Sequence, residues 1–148
     1  MSTTYPLTLL YDASCPVCRL EMDHLRERCT DGRLQFVDIS APGFDPSPYG
    51  ASLDDMNAVI HGIAADGRTL RGVEVLRLAY AAAGLGWVLR PTGWPLLRPV
   101  FDVGYRVFAR NRYGISRALA PAVEALEAWR MTRRMRACHA GQCDVERR

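Results

Sequence analysis

The chain has 148 residues, 49% of them hydrophobic, which suffices for one well-buried domain and is too short for two domains of usual size. Its N-terminus lacks the basic region and long apolar core of a signal peptide, and no run approaches the roughly 20 apolar residues of a transmembrane helix. We therefore expect a protein of the cytoplasm, where thiols are mostly kept reduced.

The net charge of +3 is divided unevenly along the chain. Residues 1–85 hold seven arginines and eleven acidic residues, whereas residues 86–148 hold twelve arginines and five acidic residues. The change in composition predicts an N-terminal core in residues 1–85, with an arginine-rich helical extension and tail in residues 86–148 packed on it. The basic part carries no recognisable nucleic-acid motif, so we expect no nucleic-acid partner.

The first predicted element is a strand at Leu7–Tyr11, apolar enough to be central in a sheet. A helix is predicted from Pro16 to about Arg28, because proline fits the first helical position, where its missing N–H costs nothing. The apolar stripe of this helix ends at Cys29, which we interpret as a small core residue.

Two cysteines, Cys15 and Cys18, lie where this strand turns into this helix. At the cap position a Cys15 thiolate faces unpaired helix N–H groups and the positive end of the helix dipole, so the pKa of Cys15 should fall below that of a free thiol. Arg19 favours the same thiolate and Asp12 opposes it. The pattern predicts a redox dithiol with Cys15 as nucleophile and Cys18 as resolving thiol.

Two other interpretations of these cysteines remain open. Cys15 and Cys18 form half of a zinc site if Cys138 and Cys143 supply the other half, although that distant pair is spaced more widely than the compact knuckles of zinc ribbons. Alternatively, Cys15 and Cys18 are buried and inert. The pair at Cys138 and Cys143 is expected to be a loose tail, the alternatives being a second dithiol or a weak metal site.

Further along, the pattern alternates strands with short helices. A proline- and glycine-rich loop is expected at residues 40–51 and a capping box at Ser52. The predicted elements are strands at residues 34–39, 58–64 and 69–72, with a tight turn at Asp66 and Gly67, and a helix at residues 73–83.

This order of strands and helices, with a dithiol at the first strand-to-helix turn, resembles that of the thioredoxin superfamily. More narrowly, the chain resembles the DCC family, named for its D-x-x-C-x-x-C motif, which here is Asp12, Cys15 and Cys18. The stretches that carry the resemblance are residues 11–18, 36–40, 61–62, 66–68 and 72–74. It implies an α/β fold, a thioredoxin-like mixed four-stranded sheet with flanking helices, to which we add the C-terminal helical extension.

The resemblance also implies a thiol-disulfide oxidoreductase that acts on a disulfide-containing protein or a small thiol and needs no organic cofactor or metal. It does not identify the cellular reductant. The chain departs from the wider superfamily in one respect: thioredoxins place a cis-proline before the strand that faces the dithiol, whereas here the preceding residues 55–57 contain no proline.

Two polar residues near the dithiol have two interpretations each. Asp12 is a candidate catalytic residue, because a carboxylate whose pKa is raised by burial can accept a proton from Cys18. Otherwise Asp12 shapes the turn after the first strand. His61 is interpreted as a structural histidine of the third strand, with proton transfer as the less favoured role.

The extension shows apolar residues at helical spacing from Leu97 to Phe108, preceded by two tryptophans, Trp87 and Trp94. We expect this stripe to cover the sheet, with contact to a membrane interface as the lesser alternative. A final helix is predicted to start at Pro121. The second functional hypothesis is accordingly a non-catalytic thioredoxin-fold binding module that contacts a membrane or a partner through this extension.

Overall fold

The computed structural model describes residues 4–139, apart from the side chains of residues 134 and 136–139. Its four-stranded sheet has the order β2-β1-β3-β4, with β1 parallel to β2 and antiparallel to β3, and β3 antiparallel to β4. The strands are β1 (Leu7–Tyr11), β2 (Leu34–Asp38), β3 (His61–Ile63) and β4 (Thr69–Arg71).

Five α-helices surround the sheet in the described residues, together with short 3-10 turns at Ser47–Tyr49 and Arg90–Gly93. The helices are α1 (Pro16–Arg28), α2 (Leu53–Ala58), α3 (Val73–Ala82), α4 (Gly86–Leu89) and α5 (Arg98–His139). A mixed four-stranded sheet with flanking helices and a long C-terminal helix confirms the expected thioredoxin-like α/β fold. None of the helices in residues 4–139 combines the length and apolar content needed for a membrane span.

Local signals in the sequence set the starts of two helices. The side chain of Cys15 caps α1 by accepting a hydrogen bond from the N–H of Cys18, and Pro16 occupies the first helical position. The side chain of Ser52 caps α2 by accepting from the N–H of Asp55 at 3.1 Å. Ser52 Oγ in turn donates to the Asp55 carboxylate at 2.8 Å, so the predicted capping box is present.

Three sequence expectations are corrected. The apolar run predicted as a strand over residues 58–64 is divided, because Ala58 ends α2 and only His61–Ile63 pairs in the sheet. The loop at residues 40–51 was expected to have no regular structure, but it contains the 3-10 turn at Ser47–Tyr49. No separate helix starts at Pro121: α5 runs through it, although proline removes the N–H that would bond to the carbonyl of Arg117.

The hydrophobic core lies on both faces of β1. Leu7 and Leu9 pack with Met22 and Leu25 of α1 and with Val75 of α3. On the opposite face a smaller cluster is formed by Leu10, Ile39 and Met56. The central position of β1 fixes the place of the loop that follows it, where the cysteines lie.

Cys29 belongs to the larger core cluster, where it is buried as a free thiol. Burial raises the pKa of its thiol, and the hydrogen bond from Sγ to the Asp31 carboxylate acts in the same direction. Both effects keep Cys29 protonated and unreactive, which confirms its interpretation as a core residue.

The extension covers the core only in part. Phe108 and Ala109 of α5 lie inward, whereas Leu97, Val100 and Val107, which we expected to pack on the sheet, are exposed. The stripe read from the sequence therefore contributes residues to both sides of the helix.

Gly62 of β3 tests how tightly the sheet packs on α3. A Cβ at this position would lie 2.9 Å from Val75 Cγ1 and 3.3 Å from Leu7 Cδ1, closer than packed carbons tolerate. We predict that Gly62→Ala lowers the free energy of unfolding by about 1–3 kcal/mol, measured by urea denaturation. Gly104→Ala, whose Cβ would meet nothing within 4 Å, is the control and should leave stability unchanged or raise it by up to about 1 kcal/mol. Equal effects of the two substitutions would contradict the packing argument.

Candidate functional site

The dithiol lies at the carboxyl end of β1, where the chain turns into α1. Cys15 and Cys18 are paired as a disulfide, with their Cα atoms 5.2 Å apart. Cys15 Sγ accepts the N–H of Cys18 at 3.3 Å, and the N–H of Cys15 donates to the carbonyl of Asp12 at 3.3 Å. The sulfur of Cys15 therefore faces the open amino end of α1, as the sequence predicts.

Helix α5 covers the first cysteine. Cys15 is 0% exposed, and the Oγ of Ser116 lies 3.3 Å from its Sγ. Cys18 is half-buried and more accessible. The serine is itself buried, and nothing in the sequence reasoning singled it out. A hydroxyl at this distance can donate to a Cys15 thiolate, which adds to the effect of the helix cap.

A buried ion pair joins α5 to the dithiol loop. Arg112 Nη2 donates to Asp12 Oδ2 at 3.0 Å, and the two side chains are only 7% and 2% exposed. The hydroxyl of Tyr113 donates to the same oxygen at 2.5 Å, and Arg112 also bonds to the side chain of Asn57. Arg112 is a second site residue that the sequence reasoning missed.

Asp12 has a well-defined electrostatic state. Burial raises the pKa of this carboxyl, but hydrogen bonds from Ser14 and Tyr113 and the charge of Arg112 outweigh burial and hold the pKa below its usual range. The raised pKa that the general-base hypothesis requires is not present. Asp12 Oδ1 accepts the N–H of Ser14 at 2.9 Å, which is the turn geometry of the alternative interpretation.

Two further contacts attach α5 to the core. Arg19, expected to favour the thiolate, pairs instead with Glu127 of α5 at 3.2 Å on the surface. The N–H of Ile60 donates to the hydroxyl of Tyr105 at 3.1 Å. Ile60 immediately precedes β3, so a side chain of α5 accepts a hydrogen bond from the backbone at the start of this strand.

An apolar cavity of about 230 Å³ lies beside Cys18. Asp12, Cys18, Glu21 and Arg112 supply its polar edge. The remaining wall comes from both the core and α5, including Val17, Met22, Met56, Ile60, Leu76 and Phe108. The cavity is therefore partly built by the same helix that covers Cys15.

His61 lies in β3 between Leu10 and Arg71 and is fully buried. Its Nδ1 is 2.9 Å from the carbonyl oxygen of Val59. Burial lowers the pKa of His61, and Arg71 acts in the same direction. The ring is therefore neutral near pH 7, as expected of a structural histidine.

The cysteine pair of the tail lies outside what the structure describes. Cys138 is described only in its backbone, and Cys143 lies beyond residue 139. Within the described residues, no group of three or more histidine, cysteine, aspartate or glutamate side chains is placed to hold a metal ion. The zinc alternative, which requires the tail cysteines, is not tested by this geometry.

The sequence model of the DCC1-like thiol-disulfide oxidoreductase family matches residues 9–118 of the chain. The chain belongs to this family. The match confirms the resemblance seen in the D-x-x-C-x-x-C motif. It extends past Arg112 and Ser116, so the part of α5 that covers the dithiol lies within the matched region.

The chain is 33% identical over 136 residues to an uncharacterized chloroplastic protein of Arabidopsis thaliana. The alignment covers 90% of the chain and 63% of that relative, so the relative contains further sequence. No solved structure matches the chain.

The ion pair of this DCC1-like protein leads to a stability prediction. Arg112→Met would leave the Asp12 carboxylate buried without its cation, and we expect a loss of about 3–5 kcal/mol in the free energy of unfolding. Arg110→Met, an exposed neighbour on the same helix, is the matched control and should change stability by less than about 0.5 kcal/mol. Urea denaturation measures both, and a loss below about 1 kcal/mol for Arg112→Met would show that the pair does not hold α5 in place.

The lowered pKa of His61 predicts how the stability of the protein depends on pH. The unfolded histidine binds a proton below its ordinary pKa of 6.5, whereas the folded one resists protonation. Stability should therefore fall as the pH drops from about 6.5 towards 5, before the aspartates titrate. His61→Gln should flatten this dependence, measured as the free energy of unfolding at several pH values. His24→Gln serves as the control, and an unchanged slope in His61→Gln would contradict the assignment.

Proposed function

We propose that this protein exchanges disulfides through Cys15 and Cys18, with Cys15 as the attacking thiolate and Cys18 as the resolving thiol. The observation that carries the proposal is the position of Cys15 Sγ, which caps α1 and lies 3.3 Å from Ser116 Oγ. Both contacts favour S⁻ over SH, because each places a donor against the sulfur.

In the proposed reaction, the Cys15 thiolate attacks one sulfur of a substrate disulfide. A bond forms between Cys15 Sγ and that sulfur, and the other substrate sulfur leaves as a thiolate. Cys18 then gives its proton to the substrate thiolate released in the first step and attacks Cys15 Sγ, which releases the second substrate thiolate and forms the Cys15–Cys18 disulfide. Two electrons pass from the dithiol to the substrate, and a cellular thiol reductant restores the dithiol.

Access to Cys15 requires a movement of α5. The fully buried sulfur has no open path for a substrate disulfide while Ser116 lies against it. We therefore include in the proposal that the segment around Arg112 and Ser116 separates from the dithiol loop before the first attack. In this scheme Asp12 is a positioning residue, since its bonds to Arg112 and Tyr113 determine whether α5 is docked or released.

The proposed substrates are a disulfide-containing protein or a small thiol or disulfide. The apolar cavity next to Cys18 favours an apolar group beside the reacting sulfur.

The proposed compartment is the cytoplasm, where thiol reductants are present. The chloroplastic label of the Arabidopsis relative describes that protein.

A non-catalytic binding module is the second candidate, and the burial of Cys15 is the observation that favours it. A module that only binds partners has no need of a thiol with a low pKa. The reactivity of Cys15 therefore distinguishes the two candidates.

The decisive experiment uses single-cysteine variants of the dithiol. In reduced Cys18→Ser protein, Cys15 should alkylate rapidly below neutral pH and should trap substrates as stable mixed disulfides. In Cys15→Ser protein, Cys18 should have a higher thiol pKa than Cys15 has in Cys18→Ser protein. It should also trap few substrates as mixed disulfides. Adding Ser116→Ala to Cys18→Ser should raise the pKa of Cys15 by about one unit, because a hydrogen bond to the charged sulfur is lost.

Cys29→Ser is the matched control, since it removes a thiol that is buried and unreactive. Its disulfide exchange with a model disulfide should equal that of the unmodified chain, whereas Cys15→Ser and Cys18→Ser should lose exchange. A pKa of Cys15 above that of Cys18, or exchange that survives in Cys15→Ser, would overturn the assignment of roles. An unshifted, slowly reacting Cys15 would favour the binding module.

A further inference from the structure

The segment from α4 to the first half of α5 exposes an unusual amount of apolar surface. Nine of the large hydrophobic side chains that are exposed in residues 4–139 lie between positions 87 and 107. Trp87 is 74% exposed and Leu96 is 89% exposed. Exposed apolar side chains grouped in this way are typical of an interaction surface.

Three exposed valines of α5, Val100, Val103 and Val107, lie opposite the face that covers the dithiol. Val103 precedes Arg112 by nine residues, and Val107 precedes Ser116 by nine residues. At 100° per residue, nine residues correspond to half a turn, so each valine lies on the far side of the helix from its partner. Val100 shares this outer side with both valines. We call Trp87, Trp94, Leu96, Val100, Val103 and Val107 the outer apolar surface.

Arginines far outnumber acidic residues in the segment that carries this surface. Residues 86–123 contain six arginines and a single acidic residue, Asp102. Arg112 pairs with Asp12, and the other five arginines are exposed, of which Arg98 pairs with Asp102 at 3.8 Å. Arg106 and Arg110, one turn apart, form the strip next to the valines on the same helix.

A positively charged pocket of about 250 Å³ continues the strip between α3 and α5. Its wall includes Arg71, Arg77, Arg98 and Arg106, against Glu74 and Asp102 as the acidic members. A phosphate group finds several guanidinium donors there, which is the chemistry of an anionic headgroup.

We propose that the outer apolar surface and its arginines dock this protein on the surface of an anionic lipid bilayer. Exposed tryptophans, aliphatic side chains and flanking arginines are the composition of an interfacial segment. A nucleic acid would use the arginines and leave the valines without a partner. A second copy of the chain, docked symmetrically on this face, would bring like-charged arginines together. The segment lies on the bilayer, since no described helix is suited to span it.

Tryptophan fluorescence tests this proposal. Trp129→Phe removes the third tryptophan and leaves Trp87 and Trp94 as reporters. With phosphatidylcholine vesicles that contain phosphatidylglycerol, we expect co-sedimentation, a blue shift and quenching by brominated acyl chains. Vesicles of phosphatidylcholine alone should bind at least roughly tenfold more weakly, because each arginine near an anionic surface adds electrostatic attraction.

Matched variants identify the docking surface. Arg106→Gln/Arg110→Gln should reduce binding to anionic vesicles by roughly tenfold or more, whereas Arg33→Gln/Arg68→Gln makes the same charge change elsewhere and should bind normally. Val100→Ser/Val107→Ser should lose the blue shift, and Leu119→Ser is its control. Circular dichroism verifies that each variant is folded.

Three results would overturn the proposal. They are no binding of the folded chain to anionic vesicles, equal loss in both arginine pairs, or a blue shift that accompanies dimer formation in lipid-free solution. Disulfide exchange by Cys15 and Cys18 is measured without lipid, so a failure of docking and a failure of the proposed redox function are seen separately.

Discussion

The buried ion pair between Arg112 and Asp12 is the constraint on which the site depends. Neither charge can remain in the interior alone, because an unpaired buried ion costs several kcal/mol. The two residues are 100 positions apart, so their pairing fixes α5 against the end of β1. With α5 in that place, Ser116 is brought against Cys15, and the wall of the cavity beside Cys18 is completed.

The contacts that favour the Cys15 thiolate also shield it. Near the dithiol, α5 is attached by polar contacts from Tyr105, Arg112 and Ser116, and its buried Ala109 adds an apolar contact. Each polar bond contributes little net stability, since water replaces it when the surfaces separate. Opening also returns Arg112 and Asp12 to water together, which costs far less than leaving one of them buried alone. The polar contacts therefore support the proposed release of α5 from the dithiol loop.

The sequence predicted the elements whose signals are local. The cap at Cys15 and Pro16, the capping box at Ser52 and the apolar run of β1 act within a few residues, and the structure has all three. The start of β3 was wrong, because an apolar run does not distinguish the last turn of α2 from a strand. The dithiol was predicted from the spacing of Cys15 and Cys18, their place at the strand-to-helix turn and the resemblance to the DCC family. Arg112 and Ser116 were missed, although the inward side of α5, followed from Tyr105 through Ala109, reaches both at helical spacing. That signal indicates polar residues on a buried face, but it does not say which distant carboxylate Arg112 meets.

Helix α5 differs from an ordinary amphipathic helix, because it has polar residues on its inward side and apolar residues on its outward side. A helix that covers a core usually turns its apolar side inward and its charges to water. Here the inward side near the dithiol carries Arg112 and Ser116, and the outward side carries Val103 and Val107. The inner polar groups are explained by the dithiol loop, whereas the outer valines are more than half exposed among residues 4–139. Because the two sides are half a turn apart, occupation of the outer side leaves the contacts to Cys15 untouched. The proposed docking of α5 on an anionic bilayer is therefore compatible with the contact between Ser116 and Cys15.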